Sequence, residues 1–171
     1  MGMSLVEAVV IMAVLGILLM VGLGYFNPDR IAVSQASQVL SSQVNRARLE
    51  AIRNNTFGGV TFNTVGSGSL QVWVLDRSFP DINNPTVLQN IALGQGDFAR
   101  VRCLSVTRTA PDGGTANCPS VGSFRFTFDA RGVPQDQGRL SIVLTNAAGN
   151  FQRTVCINQQ GRSQMVNGAC P

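Results

Sequence analysis

The hydrophobic pattern of the chain changes twice. From Leu5 to Phe26 it has no period: the run LVEAVVIMAVLGILLMVGLGYF is apolar on every side and carries one charge, Glu7. A helix over these residues would be about 33 Å long at ~1.5 Å per residue, enough to cross a bilayer core of ~30 Å. The run therefore predicts one membrane-spanning helix, bounded at 3–26. The apolar positions then thin out to Val33, Ala36, Leu40, Val44, Ala47 and Ala51. These steps of three and four lay one apolar stripe along an otherwise polar helix. Asn27-Pro28-Asp29 supplies its start, with a side-chain acceptor at the cap, proline at the first helical position and an acid at the positive dipole end. Asn54-Asn55 followed by Gly58-Gly59 marks its end, and Arg46 and Glu50 sit four apart on its polar side.

From Val60 onward the period is two. Residues 60–63, 70–75, 87–93 and 100–107 are the first candidate strands, with 76–96 as a long connection around the third of them. Residues 108–122, with three glycines and two prolines, predict a loop. In the last third, Phe124, Phe126 and Phe128 alternate with polar residues, as do Leu140, Ile142 and Leu144, and 151–157 follows after an Asn/Ala/Gly turn. These three stretches predict an antiparallel meander. Its apolar face needs a cover, and the striped helix supplies one, giving an α+β domain with a helix packed on antiparallel sheet. The expected division is a membrane helix, an amphipathic helix at 27–55 and a β-rich domain at 56–171.

A carboxylate inside an apolar helix is costly in lipid, and such groups usually face a protein partner. Glu7 thus predicts a dedicated neighbour for this helix. Two other readings of the segment fit less well. A cleaved secretory signal could use Gly22 and Gly24 as a small-x-small site, but the run exceeds the usual ~7 to 15 apolar residues and its leading end is acidic. A plain membrane anchor leaves Glu7 without a role.

The chain has 171 residues, which beyond the membrane segment suits one soluble domain with a real core. Its formal charge of +4 comes from 13 arginines against 9 acids, with no lysine and no histidine. The mild excess is spread along the chain and reads first as solvated surface. Lack of histidine removes Ser-His and Cys-His dyads and histidine metal sites. Gly66-Ser67-Gly68 and Gly94-Gln95-Gly96 lack the strand, helix and lysine of a phosphate cradle. Asp129 and Asp136 are better explained by a strand-end turn than as paired catalytic acids. We therefore expect no enzyme, no cofactor and no metal.

The four cysteines, Cys103, Cys118, Cys156 and Cys170, all lie outside the apolar run, and none forms a C-x-x-C pair. They read as disulfides of an exported domain. Three connectivities are open, of which the local pairs Cys103 with Cys118 and Cys156 with Cys170 are the expected ones; each closes a loop worth roughly 3 kcal/mol in the chain-entropy model.

The residues Gly2-Met3-Ser4-Leu5-Val6-Glu7 resemble the processing site of type IV prepilins and type II secretion pseudopilins, with Glu7 fifth after Gly2. The resemblance implies cleavage by a prepilin peptidase between Gly2 and Met3 and N-methylation of Met3. It also implies that Glu7 is neutralised by the terminal amine of the adjacent subunit during filament assembly. Two buried opposite charges satisfy each other, whereas either alone carries a large desolvation cost. The sequence departs from the pattern in placing Met3 where phenylalanine is usual. It also has only Met1-Gly2 as leader, which fits a trimmed one; the nearest arginine is Arg30, beyond the apolar run.

Three further stretches, NRARLEAIRNN at 45–55, FDARGVP at 128–134 and VCINQQGR at 155–162, resemble the GspH/FimT branch of minor pilins and pseudopilins. That branch implies a pilin-like fold and a structural and assembly role, by resemblance near a filament tip. The implied partners are other pilin or pseudopilin subunits, the prepilin peptidase and inner-membrane assembly machinery. The implied location is a single-pass inner-membrane protein with a periplasmic C-terminal domain, later moved into a pilus or pseudopilus. Some FimT-like members that help take up DNA carry an Arg-x-Arg motif after the C-terminal glycine. Here Gly161-Arg162-Ser163-Gln164 keeps the first arginine only. The alternative reading is thus a DNA-binding minor pilin, with Arg162, Arg153 and Arg139 as phosphate contacts if the terminal strands pair. The structural reading of the same arginines is solvated edge positions that discourage unwanted strand pairing.

Overall fold

The computed structural model describes residues 4–24, 27–75, 84–109, 114–118, 122–135 and 138–171. Two helices come first, α1 at Leu5–Gly24 and α2 at Pro28–Asn54. The start of α2 forms as its residue types dictate: the side chain of Asn27 accepts from the backbone N–H of Arg30 at 3.2 Å, and Pro28 opens the first turn. At the other end Asn55 adopts φ 49°, a left-handed cap, and its N–H and that of Thr56 close on Ile52 and Ala51.

Nine strands follow among the described residues, divided between two antiparallel sheets. The first sheet runs in the order β3 (Thr86–Ala92), β2 (Ser69–Val74), β1 (Gly58–Asn63), β6 (Ser123–Phe128). The second runs β5 (Gly114–Asn117), β4 (Val101–Thr109), β7 (Arg139–Asn146), β8 (Gln152–Ile157), β9 (Ser163–Val166). Helix α2 lies across both, touching β1, β2 and β6 on one side and β4, β7, β8 and β9 on the other. All six stripe residues, Val33 to Ala51, are fully buried in this seam together with Phe62, Phe126, Phe128, Leu140, Ile142 and Leu144. Apolar burial of this extent is what fixes α2 against the sheets.

The structure corrects the expected layout in two places. The last third is not one meander, because β6 leaves β7 and pairs with β1, matching Phe62 with Phe124 and Val60 with Phe126. Alternation defines which face of a strand is apolar; it does not define the partner. The stretch 108–122 is not all loop either: β4 continues to Thr109, and β5 pairs Thr115 and Ala116 with Thr107 and Val106. The Cys103–Cys118 disulfide closes this arm, and Cys156–Cys170 ties β8 to the C-terminal segment, so the two local pairs are the ones formed.

Polar contacts secure the rest. Trp73 is buried, donates Nε1–H to Thr61 at 2.9 Å, and carries the Arg125 guanidinium over its ring at 5.1 Å. Strand β9 is held to α2 by Ser163, whose hydroxyl lies 2.8 Å from that of Ser41. The start of α2 is clamped to the second sheet through Asp29, which accepts from Arg100 Nη1 at 3.0 Å and from Asn146 Nδ2 at 3.2 Å. These bonds hold the Asp29 carboxyl below its ordinary value of 3.8. A carboxyl whose folded value is depressed stabilises the fold above its unfolded value, and that contribution is lost as pH falls through the folded one. Asp29→Asn should therefore lower the urea midpoint at pH 7, and the difference should shrink as pH falls below 3.8 and vanish once the folded carboxyl is protonated. A difference from the unmodified chain that persists in acid would exclude this clamp.

Candidate assembly surface and arginine positions

Every side of α1 from Leu5 to Met20 faces outward. Ile17, Leu18, Leu19 and Met20 are successive residues about 100° apart and so sample the whole circumference. Their exposures are 65%, 63%, 66% and 81%, so no face of the helix is covered by its own chain. Glu7 sits in the first turn of this helix as its acidic residue. The side chains described in α1 span only about 24 Å at ~1.5 Å per residue. Among the described residues no helix is long and apolar enough to cross a membrane. Gly2 and Met3, the residues of the expected cleavage and methylation, lie outside the described residues.

The outward face of α2 continues the surface. Arg46 donates to Gln89 of β3 at 2.9 Å, Glu50 accepts from Asn54 at 3.3 Å, and Leu49 remains exposed between them. These bonds use Arg46 and Glu50 for other partners than each other.

The three segments that carry the family resemblance meet at the far end of α2. Asp129 shapes the turn after β6 by accepting from the backbone N–H of Arg131 and Val133 at 2.9 and 2.8 Å. Burial raises the Asp129 carboxyl, but these bonds and the Arg131 side chain outweigh it and hold it low. That fully explains this acid as a turn former; Asp136 lies outside the described residues. The turn brings Gly132 onto α2, where a Cβ would stand 2.7 Å from Ile52 and 3.0 Å from Arg48 Nε. Gly161, at φ 74°, closes the β8–β9 turn with no room for a Cβ, which would stand 2.7 Å from the Phe128 ring. Sequence reading saw the three motifs separately. Gly132 in the second motif and Gly161 in the third were the available signal that these segments pack closely.

The three candidate arginines are not brought to one place. By strand register Arg139, Asn158 and Arg162 lie side by side at one end of the second sheet, on its face away from α2. Arg139 donates there to the Pro171 carbonyl at 2.9 Å, beside a cavity of about 280 Å³ lined by Asn158, Gln159 and Gln164. Arg162 is exposed and its backbone N–H is held by Asn158. Arg153 pairs with Leu144, so it falls on the opposite face and toward the other end, with its guanidinium 5.7 Å from the Phe151 ring. Among the described residues no group of His, Cys, Asp and Glu is placed to hold a metal ion.

An N-terminal helix with no cover of its own, followed by a striped helix laid across antiparallel sheet, defines a subunit of the pilin-like class. Over 164 residues the chain is 35% identical to the pilin-like protein PilA1 of Thermus thermophilus, covering 96% of this chain and 97% of that one. The chain belongs to the pilin-like proteins. Its fold is similar to that of the minor pseudopilin EPSH from the type II secretion system of Vibrio cholerae, with TM-score 0.54 and 12% identity over 81% of this chain and 99% of that one. The type IV minor pilin FimU of Pseudomonas aeruginosa aligns with TM-score 0.47 and 18% identity over 80% and 90% of the two chains. No protein-family model matches the chain.

Proposed function

We propose that the chain is a minor pilin or pseudopilin, a structural subunit whose α1 inserts in the inner membrane and then packs among neighbouring subunits in a filament. The observation that carries this reading is the uncovered, all-round apolar helix α1 with Glu7 as its acid. A helix apolar on all sides is buried in a membrane or in a larger protein assembly, and a filament built from the membrane uses both in turn. The peptidase cuts after Gly2, Met3 is methylated, and Glu7 meets the terminal amine of the next subunit. The folded domain faces the periplasm, where both disulfides persist. Mass spectrometry of the protein recovered from sheared filaments should find an N-terminal methylated Met3. A mature end elsewhere, or absence from the filament fraction, would overturn the reading.

One observation favours DNA contact as a second reading: Arg139 and Arg162 share a face and an end of the second sheet. Phosphate contacts release counterions, so binding of duplex DNA to the full chain in detergent should weaken steeply with salt. Arg162→Ala should weaken it about equally for unrelated sequences, while Arg153→Ala should leave it unchanged. No binding at low salt, or binding indifferent to Arg162, would leave assembly as the whole role.

A further inference from the structure

The end of the domain where α2 begins carries charge that the assembly reading does not use. Arg30 lies in the first turn of α2, Arg100 precedes β4, Arg102 follows one residue into it, and Arg153 follows the β7–β8 turn. Register sets these strand ends side by side, Val101 opposite Asn146 and Thr145 opposite Gln152. Arg30 and Arg102 are exposed, and the Arg100 side chain is 61% exposed although it bonds Asp29. Arg30 and Arg153 both bring their guanidinium groups to the Phe151 ring, at 5.5 and 5.7 Å. Arg153 Nε is buried there with no hydrogen-bond partner among the described residues. The acids nearby are Asp29, spent on Arg100 and Asn146, and Asp97 in the short 3-10 turn Gly96–Phe98. Cations therefore exceed anions at this end.

We propose that this arginine collar docks on the anionic phospholipid headgroups of the bilayer that holds α1. The inference rests on the reading that α1 inserts in that bilayer. Arg30, Arg100 and Arg153 stand at the first turn of α2, only a few residues beyond the end of α1, and Arg102 lies at the same end of the second sheet on its other face. When α1 is in lipid the collar therefore stands at headgroup height. Arginine suits the place: its planar fork pairs with phosphate oxygens, and its stem lies along apolar surface such as Phe151. Phosphates of a nucleic acid offer the same oxygens, but a duplex cannot reach a surface that faces the bilayer. The contact would hold an unassembled subunit upright on the membrane and would be released when the subunit is extracted into a filament.

The test uses the full chain in lipid nanodiscs of neutral phosphatidylcholine and in discs enriched in phosphatidylglycerol, read by hydrogen exchange. Amides of residues 99–103 and 146–153 should exchange on the order of ten-fold more slowly over the anionic discs. High salt should abolish the difference, because the contact is electrostatic. So should the double variant Arg30→Gln/Arg102→Gln, whose exposed positions leave the core intact and whose exchange over neutral discs should match the unmodified chain. Failure of the chain to incorporate into neutral discs would remove the membrane reading and the collar with it. Incorporation without lipid-dependent protection would overturn the collar alone. Protection by added duplex DNA but not by phosphatidylglycerol would replace it with a nucleic-acid surface.

Discussion

Glu7→Ala should insert in the membrane at least as well as the unmodified chain and yet fall out of the filament by on the order of a hundred-fold or more. The two halves of this expectation have one cause. In lipid the carboxylate is a cost, so its removal costs nothing before assembly. In the proposed filament packing the terminal amine of the next subunit would be left buried and unpaired, and breaking such a pair costs about 3–5 kcal/mol, or roughly two to three and a half decades in association. Glu7→Gln should behave like Glu7→Ala, since an amide keeps the shape and loses the charge, while Glu7→Asp should retain part of the function. The measurement is the ratio of the protein in sheared filaments to that in the membrane fraction. Normal incorporation of Glu7→Ala would exclude neutralisation between subunits.

The parts of the fold that were legible are those where a local pattern has one meaning. Spacing from Val33 to Ala51 can only be one face of a helix, and all six residues are fully buried. Asn27, Pro28 and Asn55 act on backbone within a few residues of themselves, so cap and end were readable from residue type. Pairing between distant strands was not. The period of β6 places Phe126 and Phe128 inward whether the strand joins β7 or β1, and only closure of the whole domain selects β1. Strand β5, Gly-Thr-Ala-Asn, has no apolar alternation to reveal it and owes its pairing to β4 and the adjoining disulfide.

The same limit governs the arginines. Arg139 and Arg153 look alike in sequence, each beside an alternating strand. Which face each takes depends on register, and the register between β7 and β8 sends them to opposite faces. The Asp29 clamp joins residues more than seventy positions apart, and nothing local to Asp29 beyond its helix-start role pointed to Arg100 or Asn146. By contrast the meeting of the three family-like segments leaves a trace in Gly132 and Gly161, whose missing side chains are what allow the approach.

Gly59→Ala should be the most damaging small change in the folded domain. Gly59 is the second residue of β1, between Trp73 on β2 and Thr127 on β6. A Cβ there would run into the Phe126 carbonyl oxygen and would stand 2.8 Å from the Trp73 ring and 3.1 Å from the Thr127 Cα. Two of those neighbours are backbone of the next strand and the third is a buried indole pinned by Thr61 and Arg125, so none can move aside cheaply. The expected loss is roughly 3 kcal/mol or more, which for a domain of this size lowers Tm by about 10 °C. Gly149 is the control, since at φ 73° its Cβ would meet nothing within 4 Å. Gly149→Ala should therefore cost only the left-handed backbone penalty of about 1–2 kcal/mol. Equal melting shifts for the two variants would mean that β1, β2 and β6 do not pack as closely as the register requires. Gly59→Ala should also be scarce in filaments, but unlike Glu7→Ala it should be scarce because its domain unfolds, and a melting curve taken beside the filament ratio separates the two causes.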